Sequence, residues 1–126
     1  MHESRSKRAA LIINARSGAA NNHAVAQQVG MMLDAHGIAT TITVGDGAAV
    51  RHAAQQAVRS GAQLAIAGGG DGTINAVATS LVGTGTVLGV LPLGTLNHFA
   101  KDLRIPLNVT DAATVAIEGQ IGRAHV

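Results

Sequence analysis

The chemistry-bearing residues gather in three short stretches: "NARSG" (14–18), "GGGDGT" (68–73) and "PLGTLN" (92–97). The second is the most informative. Gly68, Gly69, Gly70 and Gly72 have no Cβ, so their backbone N–H groups can come close to an anion. The run leads into a helical pattern, whose N-terminus adds partial positive charge. Such a loop suits phosphate, yet Asp71 puts a negative charge in its middle. Two functions explain that acid. It can hold Mg²⁺, directly or through water, which offsets the repulsion. It can also take the proton of a hydroxyl that attacks a phosphoryl group. A purely local role is open too: Asp71 as a helix cap or turn former.

Thr73 and Thr95 each follow a glycine at a loop-to-helix junction, where a hydroxyl can cap a helix or donate to a phosphate oxygen. Asn14 and Ser17 are either turn residues or contacts to phosphate or nucleoside. Asn75 and Asn97 fall in expected first helical turns, facing the same crevice. The loop is neither a Walker A sequence nor a dinucleotide fingerprint: no Gly-Lys-Ser/Thr follows, and no G-x-G-x-x-G register fits. The six histidines show no metal-ligand spacing. His23, His36 and His52 are expected to face solvent, and His98 reads as a surface residue.

The elements that must position these loops follow from the hydrophobic pattern. "AALIIN" (9–14) is a continuous apolar run and reads as a strand buried on both faces. Residues 20–36 repeat apolar positions at helical spacing, with Gly37 as the stop. Strands are expected at 38–44, 62–68 and 86–92. Helices are expected at about 46–60, with Asp46 as cap, and at 73–82, 96–103 and about 111–118, with Asp111 as cap. Another strand starts near 121. This βαβαβαβ order predicts an α/β domain: an open parallel sheet with helices on both faces. In such sheets ligands bind outside the carboxyl ends of the strands, where all three loops lie.

A length of 126 residues fits one domain, and 47% hydrophobic with only 13% charged residues argues against a disordered chain. Phe99 is the only aromatic residue, so stacking platforms for single-stranded nucleic acid are missing and no nucleic-acid partner is expected. The net charge is +2, with Arg5, Lys7 and Arg8 near the start. Residues 1–7 read as a flexible basic leader, with at most weak attraction to an anionic membrane. Residues 8–126 read as the folded domain. With no cysteine there is no disulfide framework or thiolate metal site. No run is long enough for a membrane span. The expectation is a cytoplasmic chain that contacts the inner membrane face only peripherally.

"GGGDGTINAV" followed about twenty residues later by "LGVLPLGTLNHFAKDL" resembles the diacylglycerol kinase catalytic domain family of lipid kinases. "NARSG" is similar to that family's first loop. The resemblance runs from about Arg8 to Val126. It implies a Rossmann-like, NAD kinase/diacylglycerol kinase type of sheet that forms the nucleotide-binding lobe of an ATP- and Mg²⁺-dependent lipid kinase. Gly68 to Thr73 would cradle phosphates, and Thr95, Asn97, Asn14 and Ser17 would line the same site. Asp71 matches the family's loop acid, tied to phosphate, metal and hydroxyl activation. The lipid alcohol would be bound with a second, β-rich domain, absent from this chain, so the chain alone is expected to be inactive. Three departures stand out: Ala15 for the usual proline, His98 where many members carry aspartate, and Val44 where threonine is common. Two other readings compete. One is a NAD kinase-like domain, which shares Gly-Gly-Asp-Gly-Thr. The other is a non-catalytic nucleotide-binding or interaction module, prone to self-association as a homo-oligomer through exposed apolar surface.

Overall fold

The computed structural model describes residues 7–16, 22–94, 96–119 and 123–125. The strands are β1 (Lys7–Asn14), β2 (Ile38–Gly45), β3 (Leu64–Gly69), β4 (Val87–Pro92) and β5 (Arg123–His125). The helices are α1 (Asn22–Ala35), α2 (Gly47–Arg59), α3 (Asp71–Leu81), α4 (His98–Asp102) and α5 (Val109–Glu118). The sheet order is β2-β1-β3-β4-β5. The first four strands pair in parallel, and β5 runs antiparallel to β4. This is the expected open parallel sheet, with an antiparallel strand added at one edge.

The order dictates the layers. From β1 the chain steps outward to β2, then returns across β1 to β3 and continues to β4. Crossovers in parallel sheets are right-handed, so the change of direction puts the first helix on the opposite face from the next two. Accordingly, α2 packs beside α3, and α1 beside α5. Leu11, Ile12, Ile13, Ile66, Leu88 and Leu91 are fully buried between these layers. Continuous apolar runs in β1 and β3 are what a doubly covered strand requires.

Most element ends follow the expected punctuation. Gly37 and Gly61 stop α1 and α2 with left-handed backbones (φ 71° and 76°). Asp46 caps α2 by accepting from the Ala49 N–H at 2.9 Å. Two ends differ. Asp111 does not cap α5; its own N–H is capped by Asn108 at 3.1 Å, so the helix begins earlier. The third helix starts at Asp71 rather than Thr73, because Gly70 takes the extended N-cap conformation. Lys7 already belongs to β1. The rest of the expected leader lies outside the described residues.

Candidate active site

Adjacent parallel strands end level with one another. Asn14 pairs with Gly45, Ile13 with Gly68, and Gly69 with Pro92. The three loops therefore leave the same edge of the sheet. The chain turns one way from β1 and the other way from β3, so a crevice opens between those two ends. Asn14 spans it: its Nδ2 donates to Thr73 Oγ1 at 3.0 Å, while its Oδ1 accepts from the Arg16 N–H at 2.8 Å. Thr73 is thus tied to the first loop and does not cap α3.

Asp71 does not cap its own helix either. Its carboxylate reaches across to the third loop. Oδ1 accepts from the Phe99 N–H at 2.8 Å and Oδ2 from the His98 N–H at 3.0 Å. It caps α4 from outside, satisfying donors that a helix start leaves unpaired. These two backbone bonds, Phe99's first and His98's second, hold its pKa below the ordinary carboxylate value, with smaller help from the charges of His98 and Lys101. Asp71 is partly exposed and ionised at neutral pH.

The start of α3 is left open. Gly70 makes no side-chain cap, whereas α2 and α5 each have one. The first-turn N–H groups of α3 can therefore donate to an outside anion.

The glycines divide by role. A Cβ on Gly68 would lie 2.9 Å from Ile13 Cγ1, and one on Gly69 would lie 2.8 Å from Thr73 Cβ. Packing within the chain requires both. A Cβ on Gly94 would run into the Gly70 backbone, so the second and third loops touch main chain to main chain. Gly72 alone in this loop faces open space, with nothing within 4 Å.

Asn97 differs from its expected place. It precedes α4 instead of sitting in its first turn, has a left-handed backbone (φ 54°), and is only 8% exposed. Its Oδ1 accepts from the Gly94 N–H and its Nδ2 donates to the Gly94 carbonyl, both at 2.9 Å. Both ends of the side chain shape the loop. Asn97→Ala should destabilise the fold by about 1–3 kcal/mol, read by urea unfolding, because Gly94 loses both partners and alanine resists a left-handed backbone. Asn97→Gly should recover part of that loss by relieving only the backbone term.

Ser17 and Thr95 lie outside the described residues. Asn75 is exposed on α3, and His23, His36, His52 and His98 are exposed. Sequence reasoning missed the backbone N–H groups of His98 and Phe99 as partners of Asp71, and Gly94 as the contact point between loops. The glycine in "PLGT" was a usable signal. Among the described residues no group of three or more His, Cys, Asp or Glu side chains could hold a metal.

A family model described as the diacylglycerol kinase catalytic domain matches residues 8–126. The chain belongs to the diacylglycerol kinase catalytic domain family. Among its relatives is a protein named "Probable lipid kinase YegS-like" from Cronobacter sakazakii, 41% identical over an alignment covering 98% of this chain and 43% of that protein. A protein of the same name from Klebsiella pneumoniae is also 41% identical, over 87% of this chain and 37% of its own length. The fold is similar to that of a solved diacylglycerol kinase from Bacillus anthracis, with a TM-score of 0.75 and 24% identity over 94% of this chain and 42% of that one. The chain thus spans less than half the length of these relatives. The diacylglycerol kinase reading made from the paired loop motifs holds at the level of family and fold.

Proposed function

We propose that this chain is the nucleotide-binding part of a lipid kinase that transfers the γ-phosphate of ATP to a lipid hydroxyl, such as that of a diacylglycerol. The observation that carries the reading is the union of three loops at one sheet edge, with an uncapped helix start beside an ionised carboxylate. In this reading the α3 N–H groups and the open side of Gly72 receive the triphosphate. Asn14 and Thr73 fix the first loop against the second.

Asp71 is better suited to holding charge than to taking a proton. Two N–H bonds lower its basicity, and the best general bases titrate near the working pH. Of the two roles left open by the sequence, the geometry favours the metal. Mg²⁺ is commonly bound by one or two carboxylates together with phosphates and water, and one carboxylate at this rim fits that demand. When bound, the ion would neutralise charge building on the transferred phosphoryl group. The lipid site, and any further carboxylates, belong in this proposal to sequence outside this chain. The isolated chain should therefore bind nucleotide weakly and transfer little phosphate. A transfer assay on the full-length protein with ATP and a panel of lipid alcohols tests the proposal. Phosphorylation of no lipid, with turnover of a nucleotide substrate instead, would reject it. No helix among the described residues is long and apolar enough to cross a membrane. Any membrane contact in this proposal is peripheral, made while the lipid is being reached.

The depressed Asp71 pKa sets a pH dependence. The carboxylate stabilises the rim fully above its ordinary value, and that contribution is lost as pH falls through the lower folded value. The side-chain carboxyl carbon resonance of Asp71 should titrate only below about pH 4, under the ordinary carboxylate range. A midpoint at or above that range would show that the two N–H bonds do not hold the carboxylate in its charged form.

A further inference from the structure

β2 is an edge strand, and among the described residues nothing pairs with its outer side. Natural edges are usually blunted by charge, proline or a bulge. "IATTITV", residues 38–44, has no charge and no proline, and it pairs with β1 in unbroken register from Ile38 to Gly45. The Gly45 carbonyl accepts from the Ala15 N–H at 2.8 Å, so Gly45 faces β1. Backbone groups alternate along a strand. Those of Ile38, Thr40, Ile42 and Val44 therefore point away from the sheet. The Ile38 carbonyl receives only a local bond, from Thr40 Oγ1 at 3.2 Å.

The strand is also its own complement. A two-fold axis at Thr41 aligns Ile38 with Val44, Ala39 with Thr43, Thr40 with Ile42, and Thr41 with itself. Every outward-facing residue then meets another outward-facing residue, the arrangement that antiparallel pairs need to exchange backbone hydrogen bonds. Apolar ends meet apolar ends. The centre is a Thr–Thr pair, a favourable cross-strand neighbour. Self-complementarity of this kind is what a closed two-fold interface requires.

The flanks leave room. Ile42 is 47% exposed even though α1 lies over β2, so α1 does not cover its outer flank. Met31 of α1 is 67% exposed. On the other face, a groove of about 520 Å³ runs beside the strand between Thr41, Thr43 and the small residues Ala49 and Ala53 of α2. Both faces can take side chains from a neighbouring strand.

We propose that β2 pairs antiparallel with β2 of a second copy of this chain, with the two-fold axis at Thr41, joining the two sheets into one. The contact lies along the edge of the sheet and is separate from the phosphate rim.

The test uses substitutions at the axis. Thr41 is exposed, so Thr41→Lys and Thr41→Glu should fold with unchanged circular dichroism, and should melt like the wild type once it is diluted to monomer. Each places like charges opposite one another and should weaken dimerisation about tenfold or more in sedimentation equilibrium. An equimolar mixture of the two should recover the dimer, because the axis then pairs lysine with glutamate. In the wild type, the amides of Thr40 and Ile42 should gain exchange protection as concentration rises. A wild-type chain that stays monomeric overturns the proposal, whether its edge serves another kind of strand or none. So does a dimer that both variants keep, or a mixture that fails to recover it. None of these outcomes depends on ATP or lipid, so they are independent of the kinase reading.

Discussion

Asp71→Asn in the full-length protein should lower phosphoryl transfer by about a hundredfold or more while leaving most nucleotide affinity in place. The size follows from two losses at once. The charge that suits Mg²⁺ disappears. An asparagine also offers one acceptor where the carboxylate offers two, so the Phe99 or His98 N–H loses its partner. Nucleotide should still bind, because the open α3 start and the open side of Gly72 are untouched. The measurement is kcat together with the KM for ATP. A fall confined to kcat supports a role in transfer. Unchanged turnover would reduce Asp71 to the cap of α4.

The second large effect is expected at Gly94. An alanine there would drive its Cβ into the Gly70 backbone, and backbone cannot swing aside as a flexible side chain can. Gly94→Ala should therefore cost about 1–3 kcal/mol of stability, as overpacking does, and should also separate the second loop from the third. Nucleotide affinity should fall with it. Gly72→Ala is the informative partner. Its Cβ meets nothing in the chain, so stability should hold, and alanine suits a helix better than glycine does. If phosphates approach Gly72, affinity should still drop. Thermal melts and nucleotide titration of both variants separate the two cases. Equal loss of stability in both would contradict the division of roles among these glycines.

The fold was legible because its signals are local and repeated. Continuous apolar runs marked β1 and β3, and glycines at 37 and 61 marked helix ends that adopt left-handed backbones. The shared edge of the three loops was legible as well, since parallel strands put all their carboxyl ends on one side. What each polar side chain bonds to was not. Asp71 pairs with N–H groups 27 and 28 residues away, and no local rule distinguishes that from capping its own helix. Asn97 shows the same limit. Its position suggested the crevice, but burial and a left-handed backbone turn both ends of its amide onto Gly94. The antiparallel direction of β5 was hidden too, because a few residues near 121 carry no sign of which way they pair.

The central claim is that the three loops form one phosphate-binding rim, and amide chemical-shift mapping of this chain with MgATP tests it most directly. Titration to millimolar MgATP should move the amides of Gly70, Asp71, Gly72 and Thr73 most, with Asn14, His98 and Phe99 following. Omitting Mg²⁺ should weaken the response. Shifts that leave these amides still and cluster along the groove between α2 and β2 would contradict the account.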